Sequence, residues 1–591
     1  MSARSSRKGP PRRSCARPRR PIRAASSPRL SISRPARASR CSTTRWPRSR
    51  SDHSTHSEDR TSRSIGSDDR YHRPKTSQRR DGVMKRFLLT AAAAALGLVG
   101  LGASPGLANK ADDTLRIVWK EAVPNVDPHY NQLRSGITIA TLVMDTLVMK
   151  DPRTGKFEPL LATSWEWKDD TTIRFVLRQG VKFHNGEAFD ADDVVYTLNY
   201  LVDPKNKILT PNNSSFIKQA VKVDQYTVDV QLKAPFPAAL EYFSGALFIY
   251  PNEYHAKVGP EGMAKNMVGT GPYVMKEING VSRYFLTRNK EYFGGIKGPA
   301  SIGNIEIRLV NDESTELLEL MSGKADWIWK FNADQAPLLN AQPKVQAVLS
   351  ESMRIGFLNL NLVSGDPASN PLANVKVRQA MSYAINKKDL VKFLVQGEAR
   401  VVDTPCFPDQ FGCNVDAAVK YEYNPEKAKA LLAEAGYPNG FSTKVVGARS
   451  AQWVAAVQED LKKVGIKVDA SVIQGATLVD LFGQGQIPIG YWDWGGYSVM
   501  DVSATLPVFV GGQSSSDKVG DKEVAEIVMK AGSEIDQTKR KALYDQAIKL
   551  ITERALMIPL HSFVVPYAFS KELDFKAFPD ETPRFFWASW K

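Results

Sequence analysis

Apolar-rich runs mark three strands in the first half of the chain, "TLRIVW" at Thr114–Trp119, "TIRFVL" at Thr172–Leu177 and "TVDVQL" at Thr227–Leu232, the last two with clear alternation of apolar and polar positions. Asp190, Asp192 and Asp193 stand ahead of Val194, Val195, Leu198 and Leu201, the pattern of a capped helix whose first turn carries negative charge. Further along, the period lengthens. Val377, Ala380, Met381, Ala384 and Ile385 fall on one face of a helix. A second helix starts at the cap Asn424 with Pro425 in its first turn, buries Ala428, Leu431, Leu432 and Ala435, and stops at Gly436. Residues 443–473 then read as strand Lys444–Gly447, helix Ser450–Val464 and strand Ile466–Ile473. Such a βαβ unit predicts parallel strands. The first half is therefore α+β and the second α/β.

Ligands of open parallel sheets bind beyond the carboxyl ends of strands. Two segments occupy such places. Arg449 sits between a strand end and a helix start, where the helix dipole disfavours a cation and an anionic partner is expected, either a ligand or a nearby carboxylate. The stretch "GYWDWGGYS", Gly490–Ser498, follows the apolar run Ile487–Ile489 and reads as a glycine-rich turn. It either presents Trp492, Asp493, Trp494 and Tyr497 to a ligand or is a corner filled by aromatics.

Charge changes the picture only at the start of the chain. The net charge of +16 suggests a nucleic-acid partner, yet residues 1–83 hold 23 Lys and Arg against 6 Asp and Glu, leaving 56 against 57 in the rest. That segment is expected to be disordered, or absent because the natural start is Met84; no nucleic acid is expected as a partner. Residues 84–108 read as a secretion signal. Lys85 and Arg86 precede 15 largely apolar residues, Phe87–Leu101, short of the roughly 20 that span a bilayer. Small residues Gly106 and Ala108 then mark a cleavage site, so that mature protein begins near Asn109. No Cys follows that site, and a periplasmic protein without a lipid anchor is expected. In that oxidising compartment, Cys406 and Cys413 of "PCFPDQFGC" are expected to pair.

No catalytic, metal or cofactor constellation stands out. His129, His184, His255 and His561 are far apart in sequence, without zinc spacing or phosphate-cradling glycines. The one enzyme alternative is a hydrolase using Asp493 with Asp501 as a carboxylate pair.

Several stretches in order, "VPNVDPHY", "PLLATSWEW", "LRQGVKFHNGEAFDADDVVYTLNYL", "VGTGPYVM", "LNLNL", "PLANVKVRQAMSYAINKKDLV" and "YNPEKAKALLAEAGYPNG", resemble the extracytoplasmic solute-binding proteins of family 5. The resemblance implies an α/β, two-lobed periplasmic-binding-protein fold of class II with a ligand cleft between the lobes. Lobe I would comprise 113–355 plus 562–591, with an extra subdomain at about 145–273, and lobe II would comprise 356–561. It implies a receptor, not an enzyme, which takes a di- or oligopeptide-like solute and delivers it as a monomer to the permease of an ATP-driven importer. A sugar, opine or metal chelate on the same fold is the alternative. Arg449, Trp492, Asp493, Trp494 and Tyr497 would face the ligand from lobe II, and the loop Glu121–Tyr130, including Val123, from lobe I. Tyr497 stands where peptide-binding members of the family carry the aspartate that takes the ligand's ammonium group.

Overall fold

The computed structural model describes residues 110–363, 369–512 and 514–591, which fall within one compact unit, Gly100–Lys591. The expected extension, 1–83, and secretion signal, 84–108, lie outside the described residues.

A ten-stranded mixed sheet organises the chain. Its strands are β1 (Thr114–Trp119), β2 (Tyr273–Asn279), β3 (Arg283–Arg288), β4 (Asn304–Leu309), β5 (Trp327–Trp329), β6 (Val345–Leu360), β7 (Ser442–Gly447), β8 (Lys467–Val472), β9 (Ile489–Trp494) and β10 (Met557–Ser570). They lie in the order β8-β7-β9-β6-β10-β5-β1-β4-β3-β2. One end is the expected βαβ unit, with β7 parallel to both β8 and β9. At the other, β1 runs parallel to β4 and β5. The long strands β6 and β10 pair antiparallel from Val345↔Ser570 to Asn359↔Met557 and link the two ends. Their register shifts between Ser352 and Ile355 and again between Gly356 and Phe357. Such bulges bend a strand and raise its twist. At the second, a Cβ on Gly356 would stand 2.7 Å from His561 Nε2, so only glycine allows the two strands this approach.

Layers of helix cover both faces of the β7–β9 end. On one face, α2 (Val375–Ala384), α3 (Pro425–Glu434) and α4 (Ala451–Lys462) bury Val377, Met381, Ala428, Leu432, Val457 and Leu461 against Val445, Ile489 and Tyr491. On the other, α5 (Gly475–Gly483), α6 (Leu506–Val510), α7 (Lys522–Ser533) and α8 (Gln537–Glu553) pack Phe482, Phe509, Val528 and Tyr544 under Phe357 and Trp492. A separate four-stranded antiparallel sheet contains the expected strands Thr172–Leu177 and Thr227–Leu232 with Ala162–Asp169 and Ile217–Asp224, and has its own core around Phe175, Leu198 and Phe243. The helix Ala191–Val202 beside it begins in a capping box formed by Asp190 and Asp193.

Two local expectations are corrected. The apolar face through Ile385 does not form one helix. Ile385 leaves helical geometry at φ −93, ψ 121, and Asn386 caps a new turn, Lys387–Leu390. More consequentially, Gly490–Trp494 is strand, and the turn starts only at Gly495. Gly490 marks a close contact inside the strand: a Cβ there would fall 2.1 Å from Trp492 Nε1, so the missing side chain makes room for the indole.

Cys406 and Cys413 are joined in a disulfide. Its loop is stitched to the segment after β9: Phe411 N donates to Met500 O at 3.0 Å, Val502 N to Phe411 O at 3.1 Å and Gln410 Nε2 to Val499 O at 2.9 Å. Reduction is expected to lower stability by about 2–3 kcal/mol, the chain-entropy value for so short a loop. Urea unfolding with and without reductant measures this, and coincident curves would show that the hydrogen bonds alone hold the loop.

Candidate functional site

Because β7 and β9 are parallel neighbours, their carboxyl ends open at the same edge. Arg449 follows the first, and Asp493 lies near the end of the second. The two meet there. Arg449 Nε donates to Asp493 Oδ2 at 2.5 Å and Nη2 to Oδ1 at 3.0 Å. Arg354, carried by β6 where its register shifts, bonds the same carboxylate, and its Nε donates to Glu581 at 3.3 Å. Burial works against the charged form of Asp493, but Arg354 and Arg449 outweigh it and hold the carboxyl below its usual range. Glu581 is likewise buried, and Arg354 followed by Arg134 bring its pKa from 4.5 down to about 2. The carboxylate that Arg449 asks for is thus present in the chain itself.

A depressed carboxyl stabilises the fold fully above its unfolded pKa, and that contribution disappears as pH falls through the folded value. The penalty of Glu581→Gln should therefore be constant above about pH 5 and shrink between pH 4.5 and about 2. Unfolding free energies of parent and variant across that window check it. A gap independent of pH would mean the variant acts through packing.

The remaining expected site residues divide. Trp492, on the opposite face of β9 from Asp493, is 7% exposed and packs at 5.5 Å from Phe482 and 5.9 Å from Phe509. This corrects its expected ligand-facing role: strand alternation turns it into the core. Trp494 is half-buried, its Nε1 donating to Ala504 O at 2.9 Å and its ring 5.4 Å from Phe509. Val123 is corrected too. Its side chain is buried, and its carbonyl accepts the Tyr284 hydroxyl at 2.8 Å, so neither is open to a ligand. Tyr497 lies in the 3-10 turn Gly496–Ser498, and its side chain is outside the described ones.

Beyond that turn the chain touches the opposite wall of a cavity of about 240 Å³. Ser498 Oγ donates to Asp580 O at 2.6 Å, and Met500 N to the Glu241 carboxylate at 3.3 Å. The opposite wall includes Arg134 and Thr141 of α1 (Arg134–Val143), together with Phe248 and Arg584. Sequence reading missed this wall. Only Arg134 carried a signal, the same one used for Arg449: a cation opening a helix.

Asp501 is not a partner for Asp493. It is buried and accepts both terminal nitrogens of Arg540 at 2.8 Å. A glycosidase-like pair needs one carboxyl kept protonated by its surroundings, and here each carboxylate is matched to arginine. Among the described residues no group of three or more His, Cys, Asp and Glu could hold a metal ion, and no helix is long and apolar enough to cross a membrane.

Residues 156–517, more than half of the chain, match the family described as bacterial extracellular solute-binding proteins, family 5 Middle. Heme-binding protein A of Haemophilus influenzae is 29% identical over 442 residues, covering 68% of this chain and 78% of its own. Glutathione-binding protein GsiB of Pectobacterium atrosepticum is 29% identical over 445 residues, covering 71% of this chain and 83% of its own. Among solved structures, HbpA2 from Haemophilus parasuis superposes with a TM-score of 0.71 at 26% identity, covering 81% of this chain and 100% of that one. The periplasmic binding protein DppA from Helicobacter pylori, in complex with the peptide STSA, does so at 0.66 and 26%, covering 81% and 99%.

Proposed function

We propose, from the premise that this chain belongs to the bacterial extracellular solute-binding proteins of family 5, that it is the receptor of an ATP-driven importer for a peptide-like solute. Lobe I is assigned to 113–355 plus 562–591, with its extra subdomain at about 145–273, and lobe II to 356–561, so that β6 and β10 cross between them. The solute binds in the cleft, favours the closed arrangement by its contacts to both lobes, and is passed as a monomer's cargo to the membrane permease. Export by the signal at 84–108 and release to the periplasm without a lipid anchor complete this reading.

The observation that carries it is the ion chain Glu581–Arg354–Asp493–Arg449, whose Glu581 lies in sequence between Asp580 and Thr582 of the cavity lining. On this lobe division Glu581 and most of Arg354's strand segment belong to lobe I, and Asp493 and Arg449 to lobe II, so that charges of both signs are available to a solute bearing both an ammonium and a carboxylate group. A sugar ligand loses one of the three aromatic rings expected to stack on it, since Trp492 is in the core. Arg449 and Asp493 are retained as ligand-facing groups that pair with each other in this structure and with the solute when it is bound. Trp494 and Tyr497 border the same edge.

Native mass spectrometry of protein purified without unfolding tests the receptor role. A copurified small solute released intact supports it. A solute recovered as cleavage products would identify an enzyme instead, and repeated loading with importer substrates of no peptide character would reassign the ligand class.

A further inference from the structure

The cavity wall carries one charge too many for its own partners. Lys150 pairs with Glu241, Lys297 with Asp145, Arg584 with Asp580 and Asp409 with Arg400. Among the described residues, Arg134 alone of the charged groups lining that cavity has neither an ion pair nor a side-chain hydrogen bond.

The neighbouring ion chain does not absorb it. Glu581, whose carboxyl Arg134 helps to hold down, bonds directly to Arg354. Asp493 is shared by Arg354 and Arg449. Glu121 accepts the Ser135 hydroxyl and lies 3.9 Å from Lys330. Four cations, Arg134, Lys330, Arg354 and Arg449, thus accompany three acids, Glu121, Asp493 and Glu581. Nor does local stability account for Arg134. It is half-buried in the first turn of α1, where the helix dipole opposes a cation and partial removal from water weakens its hydration.

Resting on the receptor reading above, we infer that the solute is an anion and sets an acidic group against Arg134, which makes Arg134 the specificity-determining residue on the lobe I side. A guanidinium holds a carboxylate through two parallel hydrogen bonds, a geometry that a lysine ammonium does not reproduce. Met149, Phe248 and Met500 on the same lining give apolar contact beside the acidic group, with Met side chains able to follow an irregular shape. The matching solute is a short peptide or peptide conjugate that carries one carboxylate more than its ammonium groups balance.

The probes are alanyl-alanine, a zwitterion, against alanyl-glutamate and glutathione, both singly anionic at neutral pH. Each is titrated calorimetrically into the whole exported chain, after unfolding and refolding to strip any copurified solute. At least one anionic probe is expected to bind about tenfold or more tighter than alanyl-alanine. Arg134→Gln is expected to narrow that gap to about twofold or less, and Arg134→Lys to restore only part of it. Thermal unfolding of the unliganded variants should stay close to the parent's, and closest for Arg134→Lys, because Arg134 makes no ion pair or side-chain hydrogen bond and Glu581 keeps Arg354. Equal affinity for neutral and anionic peptides, or a preference that survives Arg134→Gln, overturns this inference and leaves the peptide receptor standing. Binding of none of the three peptides overturns the peptide-like reading itself and this inference with it.

Discussion

Arg540→Ala is expected to cost about 3–5 kcal/mol of stability, because it strands the Asp501 carboxylate in the core without a counterion. Arg540 and Asp501 side chains are 3% and 4% exposed, and their paired bonds are both 2.8 Å. Arg540 also donates to Ala531 O at 3.1 Å and lies over the rings of Phe411 and Tyr544, so its loss opens a cavity as well. Asp501 in turn caps the turn Val502–Ala504 and sits one residue beyond Met500 on the cavity lining. Weakened packing there should reach the cleft. Urea unfolding measures the loss. The double variant Arg540→Met, Asp501→Asn should be more stable than Arg540→Ala alone, since it removes the uncompensated charge. If Arg540→Ala costs under about 1 kcal/mol, water reaches Asp501 and the pair is not a buried one.

Arg449→Ala is expected to act on binding and hardly on the fold. The Arg449 side chain is 52% exposed, and Asp493 keeps Arg354 when it is lost, so the stability cost should stay within about 1 kcal/mol, as for other exposed pairs. Solute affinity should fall by about 2–5 kcal/mol, the range for truncating one member of a charged contact that closes in the complex. Calorimetry with the copurified solute checks both expectations against the same variant's unfolding curve. Unchanged affinity would make Arg449 a counterion of Asp493 and nothing more. Trp492→Ala should show the reverse pattern, a loss of about 3–5 kcal/mol in stability from the vacated core.

The two variants separate what a strand does from what its end does. In β9, the side chains of Tyr491 and Asp493 face one way and those of Trp492 and Trp494 the other, so neighbouring residues in one short motif have unrelated duties. Asp493 meets arginines at the sheet edge. Trp492 meets phenylalanines under the sheet.

Much of this was legible along the chain. Alternation located the strands at Thr172 and Thr227, because each buries one face, whereas the strand at Thr114 showed as a short run rich in apolar residues and is buried on both faces. Caps located the helices at Asn424 and Asp190, since side-chain oxygens must satisfy the first free amides. The parallel βαβ unit followed from its crossover helix, and with it the placing of Arg449 and Asp493 at one edge. These are local or nearly local consequences of geometry, fixed before the chain folds. The partners of charged groups were not of that kind. Arg354 lies 139 residues from Asp493 and 227 from Glu581, and their meeting depends on where β6 passes between the two ends of the sheet. The same holds for the continuation of β9 through its glycine, which reads as a turn until Trp492 is seen folded over Gly490. Arg134 and Arg449 both stand at helix starts, Arg134 as the first residue of α1 and Arg449 just ahead of the cap Ser450. Only the tertiary structure gave one a carboxylate and left the other facing a cavity, because pairing is settled by which distant segments reach the site.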